Sequence, residues 1–365
     1  SLRTSAVRRM PRRIDAAKLA WGTLGVALLG AAILIFRLTR GTTLWFDDWN
    51  WALYRRGGGL HSLLATYSGH FSLVAVALYK LLFAIEGIGS YRGYRILLIA
   101  LHLLCAGLLF LYARRRVGDY LALLAACLLL FLGPAWQDIL WPFQIAWLVS
   151  ISAGIAALLA LDRRDRLGDI AACGLLLIAV CSSGIGIPLL AGAVVDVAFK
   201  RRRWGDAWVV GVPTVVYAAW SLGYQHTAVR ASDVFAVPRW TAEAAAAALS
   251  ALTGLSGQTV GNDAGTVLEF GVPLTVVALL LALVRARALP AWPIRAVSLT
   301  VMALAFWVLT AVGRAFVGQP WTSRYVYVDC VFVLLLAVEL GAGLRAGTWL
   351  GAGLGAVSYT HLTLP

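Results

Sequence analysis

The sequence predicts an all-α fold: a polytopic transmembrane bundle of about ten spans. Three observations carry that expectation. Of 365 residues, 61% are hydrophobic and only 13% charged, against roughly 45–50% and about 25% in soluble domains. The apolar residues form runs near the ~20 needed to cross a bilayer, at 16–36, 94–112, 120–135, 139–161, 170–182, 184–199, 207–224, 266–284, 296–313 and 325–344. The net charge of +14 comes from arginines clustered between those runs. That pattern encodes membrane orientation, and no soluble basic domain is left to bind nucleic acid.

The first run reads as a retained helix, because it is too long for a signal peptide and lacks a small-residue cleavage site. After it comes Thr43-Leu-Trp-Phe-Asp-Asp-Trp-Asn-Trp51. Tryptophan belongs at the membrane interface, so Asp47 and Asp48 are placed where a substrate with a lipid tail and a polar head would lie. Adjacent carboxylates repel, which raises one pKa and suits a general base near neutral pH. They are the catalytic candidates. The plainer reading is that Asp48 caps a helix over 49–56. Carboxylate oxygens also suit a divalent metal, though no third ligand stands out.

Segment 70–88 is short, carries Lys80 and ends at Glu86. With the N-terminus cytoplasmic and this segment not crossing, 20 of the 31 basic residues lie inside. If it crosses, the 14 of those after Lys18 move outside, against the positive-inside rule. We therefore expect a juxtamembrane or re-entrant helix on the outer side. His70 opens it, placed to bind phosphate or shuttle a proton, or only to cap the helix. His61 has no distinguishing context, and His102 in mid-span reads as a helix–helix hydrogen bond.

The outer face then collects several segments. Trp136-Gln-Asp-Ile-Leu-Trp-Pro-Phe-Gln144 offers Gln137, Asp138, Trp141 and Gln144 for a sugar ring, or is an ordinary aromatic belt. Residues 170–199 are short for two spans. Ser182, Ser183 and Gly184 at their middle suit either two half-helices meeting at a break beside a cavity or a tight helical hairpin. In the 225–265 loop, Thr241 to Leu252 reads as a helix lying at the surface. Gly313 to Tyr325 brings Arg314, Arg324 and Tyr325, a site for a lipid-linked phosphate because arginine forks onto phosphate oxygens. Asp329, in the last span, is placed to pair with Arg324.

The five cysteines lie in apolar stretches without a CxxC, so neither a disulfide framework nor zinc is read. There is no P-loop, HExxH or helix-opening GxGxxG. Residues 357–365, Val357 to Pro365, read as a translated sequencing adaptor, leaving one transmembrane domain over 1–356 that is cut at its C-terminus.

The retained first helix, the Asp47-Asp48 loop, the surface helix and the second segment from His70 together resemble the GT-C superfamily of integral-membrane glycosyltransferases. Actinobacterial multi-pass proteins of that type are similar at Ser68-Gly-His-Phe-Ser72, Leu140-Trp-Pro-Phe-Gln-Ile145, Ser182-Ser-Gly-Ile-Gly-Ile-Pro188 and Ser323-Arg-Tyr-Val-Tyr327. The likeness extends over most of residues 17–345. It implies transfer of a sugar from a polyprenyl-phosphate donor to a glycan, lipid or protein acceptor at the outer face of the plasma membrane. Asp47 or Asp48 would take the catalytic role, and His70, the arginines and the broken helices would hold the lipid phosphate. The Lys/His-Pro-Pro motif of protein-mannosylating and lipid A-modifying relatives is absent at 68–73, so the likeness names neither sugar nor acceptor. Two other functions compete: a transporter or lipid flippase using the 170–199 pair and Asp329, and a polymerase or ligase of lipid-linked glycans.

Overall fold

A computed structural model describes residues 16–55, 57–200, 204–225, 231–256, 265–289 and 293–344. The expectations for the adaptor segment with His361, and for the boundary at 356, lie outside those residues. The described chain is helical throughout: α1 (Ala16–Leu38), α2 (Leu60–Leu64), α3 (Leu73–Glu86), α4 (Arg92–Val117), α5 (Asp119–Leu130), α6 (Trp136–Leu140), α7 (Ile145–Leu161), α8 (Arg166–Val180), α9 (Gly186–Lys200), α10 (Trp208–Tyr224), α11 (Ala231–Val234), α12 (Val237–Thr253), α13 (Gly265–Ala288), α14 (Ile294–Arg314) and α15 (Ser323–Leu340). No strand occurs among the described residues; a single bridge joins Tyr67 to His70.

Each of the ten apolar runs becomes a helix, but fewer than ten meet the length and composition of a span. Five do, within 17–38, 92–117, 142–161, 268–288 and 294–314, and a sixth if α5 and the 133–140 segment, bent by 46°, count as one. Helices α8 and α9 have 15 residues each, about 22 Å at 1.5 Å per residue, short of a ~30 Å hydrocarbon core. Helix α15 is interrupted by Arg324, Asp329 and Glu339.

Small residues let the helices approach closely, as membrane bundles require. A Cβ on Gly154 would strike Leu189, one on Gly192 would strike Met302, and one on Gly271 would strike the backbone of Ala246. That last contact corrects the expectation of a surface helix. Helix α12 buries Trp240, Ala244, Ala247, Ala248 and Ala251, and Cys330 of α15 donates to its Ala248 carbonyl. Its alanines are a packing face against α13, α14 and α15, which a count of apolar residues does not distinguish from an interfacial one.

The bundle has two chemically distinct ends. At one, Arg116 reaches Asp162 and Glu339, and Arg295 reaches Asp162 and Asp196. Nearby, Arg285 donates to the carbonyls of Leu340 and Ala342. At the other, Arg95 ties α4 to the last carbonyls of α1 through Phe36 O (2.6 Å) and Thr39 Oγ1 (2.9 Å). Helix α3 begins and ends at this second end. Val74 N bonds Cys181 O in the α8–α9 turn, Gly93 N bonds the Glu86 carboxylate, and Tyr79 and Tyr91 both reach Asp48. At 14 residues it is shorter than a full span.

Candidate active site at the loop end of the bundle

The aspartate pair divides into two unlike groups. Asp48 is 0% exposed. Its carboxylate accepts from Tyr79 OH, Tyr91 OH (2.6 Å), Trp141 Nε1 (3.1 Å) and Trp45 N (3.0 Å). Burial pushes its pKa up, against the pull of these donors. It caps no helix: the π-helical turn Asn50–Tyr54 has Trp49 at its N-cap, without a side-chain bond. So enclosed, Asp48 is a structural keystone with no open coordination face. Among the described residues no group of three metal-ligating side chains occurs.

Asp47 is only partly buried. One oxygen accepts from Tyr67 OH, which leaves the other free to act on a ligand. Burial, and then the Asp47 carboxylate itself, push the Tyr67 phenol up, so it stays a donor. Tyr67 is held in place by its chain. Ser68 and Gly69 both have positive φ (50° and 80°), the requirement of a type I′ turn, and the Tyr67 and His70 backbones exchange hydrogen bonds across it. Buried Arg55 clamps the segment before it, donating to Ala65 O (2.8 Å) and Thr66 O (2.9 Å).

His70 lies against the arginines. Arg314 Nη2 is 3.0 Å from His70 Nε2 and donates to Ser68 O at 2.8 Å. Burial, then the fields of Arg314 and Arg324, push His70 down to about 4, so it is neutral near pH 7 and can accept from Arg314. Gly184, at the tip of the α8–α9 hairpin, faces the other side of the ring; a Cβ there would come within 2.5 Å of Nδ1. Residues 181–185 form the turn between two helices of 15 residues each, α8 and α9. The hydroxyls of Ser182 and Ser183, proposed as ligands from sequence, are committed to that turn, Ser182 donating to Ile178 O and Ser183 accepting from Ile185 N.

Arg324 begins α15. Its N–H donates to Gln137 Oε1 (3.3 Å), and Gln137 N donates to Ser323 Oγ (3.0 Å), which stitches α6 to α15. Among the described residues neither Arg314 nor Arg324 has an acidic partner within 4 Å. The expected Arg324–Asp329 pair does not form; Asp329 accepts from Trp307 Nε1 (2.7 Å) deep in the bundle. Asp138 and Gln144 are buried beneath the site. Trp141 is occupied in holding Asp48, and Tyr325 is buried against Trp147 and Trp240, so neither presents a face to a sugar. His61 is exposed beside Tyr224. His102 is the helix–helix bond expected of it, with Nδ1 at 3.0 Å from Tyr327 OH and Nε2 at 3.2 Å from Leu130 O.

The sequence-predicted residues that converge are thus Asp47, His70, Gln137, Asp138, Arg314 and Arg324. Tyr67, Arg55 and the tyrosines on Asp48 were missed. Only the crowding of tyrosine at 67, 79, 91 and 94 hinted at them. Comparison with known proteins adds nothing to this geometry: no protein-family model, curated protein or solved structure matches the chain.

Proposed function

We propose that the chain is an integral-membrane glycosyltransferase that moves a sugar from a polyprenyl-phosphate donor to an acceptor at the outer face of the plasma membrane. The observation that carries this reading is a partly exposed carboxylate, Asp47, joined through Tyr67 and its turn to Arg314, with Arg324 close enough for its charge to act on His70; neither arginine has an acidic partner among the described residues. A carboxylate can take a proton from an acceptor hydroxyl. The hydroxyl oxygen then bonds to the anomeric carbon as the bond from that carbon to the phosphate oxygen breaks. The configuration inverts and polyprenyl phosphate leaves. Arg314 and Arg324 would offset the charge growing on that phosphate. With the site end outside, the arginine clusters at 114–116, 163–166 and 285–295 lie inside, consistent with the charge rule.

The experiment is Asp47→Asn, assayed on lipid-linked glycans of the producing cell and on the purified chain in vesicles. Removing a general base slows transfer about 10²–10⁴-fold, so a loss of that size is expected at unchanged melting temperature. Undiminished glycan products would reject the reading. A transport activity that survives Asp47→Asn would favour a flippase instead.

A further inference from the structure

The polar groups buried beneath the site are of two kinds. One kind is satisfied internally. Tyr327 and Leu130 O engage both His102 nitrogens, and Cys105 Sγ lies 2.9 Å from Ser152 Oγ. The other kind is not. Asp138 is 0% exposed, and neither carboxylate oxygen has a hydrogen-bond partner. Gln144 Oε1 and Arg324 Nε are also buried and unpartnered. An unsatisfied buried polar group costs about 1–3 kcal/mol, and more if charged, so such atoms in one place call for an occupant. Chain connectivity and one hydrogen bond bring the residues that carry them to the same junction of α6 and α15. Gln137, next to Asp138 in the chain, takes the Arg324 N–H, and α6 is followed at once by the turn Pro142–Gln144. The Arg324 charge acts on both Asp138 and His70.

The chemistry of the unpartnered atoms selects the occupant. An anion would gain no donor from Gln144 Oε1, and an apolar tail would satisfy nothing. A metal would lack ligands, since no three metal-ligating side chains gather among the described residues. A hydroxyl donates one hydrogen bond and accepts others, so a hydroxyl-bearing ring can serve acceptors and donor together. We propose that Asp138, Gln144 and Arg324 form a buried subsite for the hydroxyls of the donor sugar, which donate to Asp138 and Gln144 and accept from Arg324. This rests on the lipid-phosphate glycosyltransferase reading. It adds that the sugar is recognised on the α6–α15 side, away from Asp47's bond to Tyr67.

The test is binding, measured on the full chain in nanodiscs with two kinds of probe: bare polyprenyl phosphate, and polyprenyl-phosphate hexoses and pentoses. At least one sugar-bearing lipid is expected to bind about tenfold more tightly than the bare one, the size of a hydrogen bond to a charged group. Asp138→Asn, of equal size, should erase that advantage and leave affinity for the bare lipid unchanged. Gln144→Leu provides the same test if Asp138→Asn does not fold. Equal binding of bare and sugar-bearing lipids by the unaltered chain would overturn the subsite and leave phosphate binding standing. So would a sugar preference that persists in both variants, as it would if fixed waters satisfy these atoms. Failure of either lipid to bind would overturn the subsite and the glycosyltransferase reading together.

Discussion

At the scale of single residues, Asp47 and Asp48 are adjacent in sequence and opposite in role. The reason lies far along the chain. The hydroxyls that enclose Asp48 come from Tyr79 and Tyr91, 31 and 43 residues on, and no local pattern announces them. The pair was legible as a feature; which member is free was not. Asp48→Ala would leave Tyr79, Tyr91 and Trp141 without their common acceptor. A loss of about 2–4 kcal/mol is expected, seen as a lower melting midpoint in the purified chain, whereas Asp47→Asn should leave the midpoint in place. His70 makes a second test at this scale. Its folded pKa of about 4 lies below its ordinary 6.5. Between those values the unfolded chain binds a proton that the native site refuses. Its stabilising share is therefore complete above about pH 6.5 and is lost as pH falls towards 4. Melting curves from pH 7 to 4 should fall more steeply for the natural chain than for His70→Gln, and parallel curves would show that His70 is not held neutral.

At the scale of elements, the existence of the helices was legible and their placement only partly so. Apolar length marked ten of the twelve described helices of 12 or more residues, because continuous hydrophobicity is a local property. It could not say that α12 is buried, since alanine suits an interface and a tight helix contact equally. That contact depends on Gly271 meeting Ala246. Nor could it decide between a broken span and a hairpin at 181–185, for which Gly and Ser serve both. The hairpin makes its own test. Its tip meets the His70 ring through Gly184, whose φ is unremarkable and whose missing side chain leaves the room His70 occupies. Gly184→Ala is therefore expected to displace the ring from Arg314 and lower transfer by about tenfold or more, with little change in melting temperature. The same substitution at Gly174, which faces open space, should do nothing. Equal activities for the two variants would separate the hairpin from the site.

At the scale of the whole molecule, the two ends of the bundle are built from different interactions. The site end is held by tyrosines, tryptophans and loop backbone. The far end is held by charge: Arg295, 2% exposed, and Arg116 share Asp162, and between them they also reach Asp196 and Glu339. This ties α4, α9, α14 and α15 to the end of α7. Arginines that must cross a membrane during insertion are costly, and those left behind mark the cytoplasmic side. On that rule we propose that the far end lies inside, which would put the site at the opposite end where lipid-linked substrates of the outer leaflet meet it. That consequence can be measured without knowing any substrate. Cys105, Cys173 and Cys330 are buried and Cys127 and Cys181 only partly so, so Cys127→Ala and Cys181→Ala are made first to keep the background from a polar maleimide low. Gly59→Cys lies in the exposed first loop, with open space at its Cβ. Arg115→Cys is exposed at the other end. In intact cells the first is expected to label and the second only after permeabilisation. The reverse order would put Asp47, Arg314 and Arg324 in the cytoplasm, where the proposed polyprenyl-phosphate donor would have to be presented on the inner leaflet. Labelling of both in intact cells would mean that the two ends do not lie on opposite sides of the bilayer, and α3 would then have to cross after all.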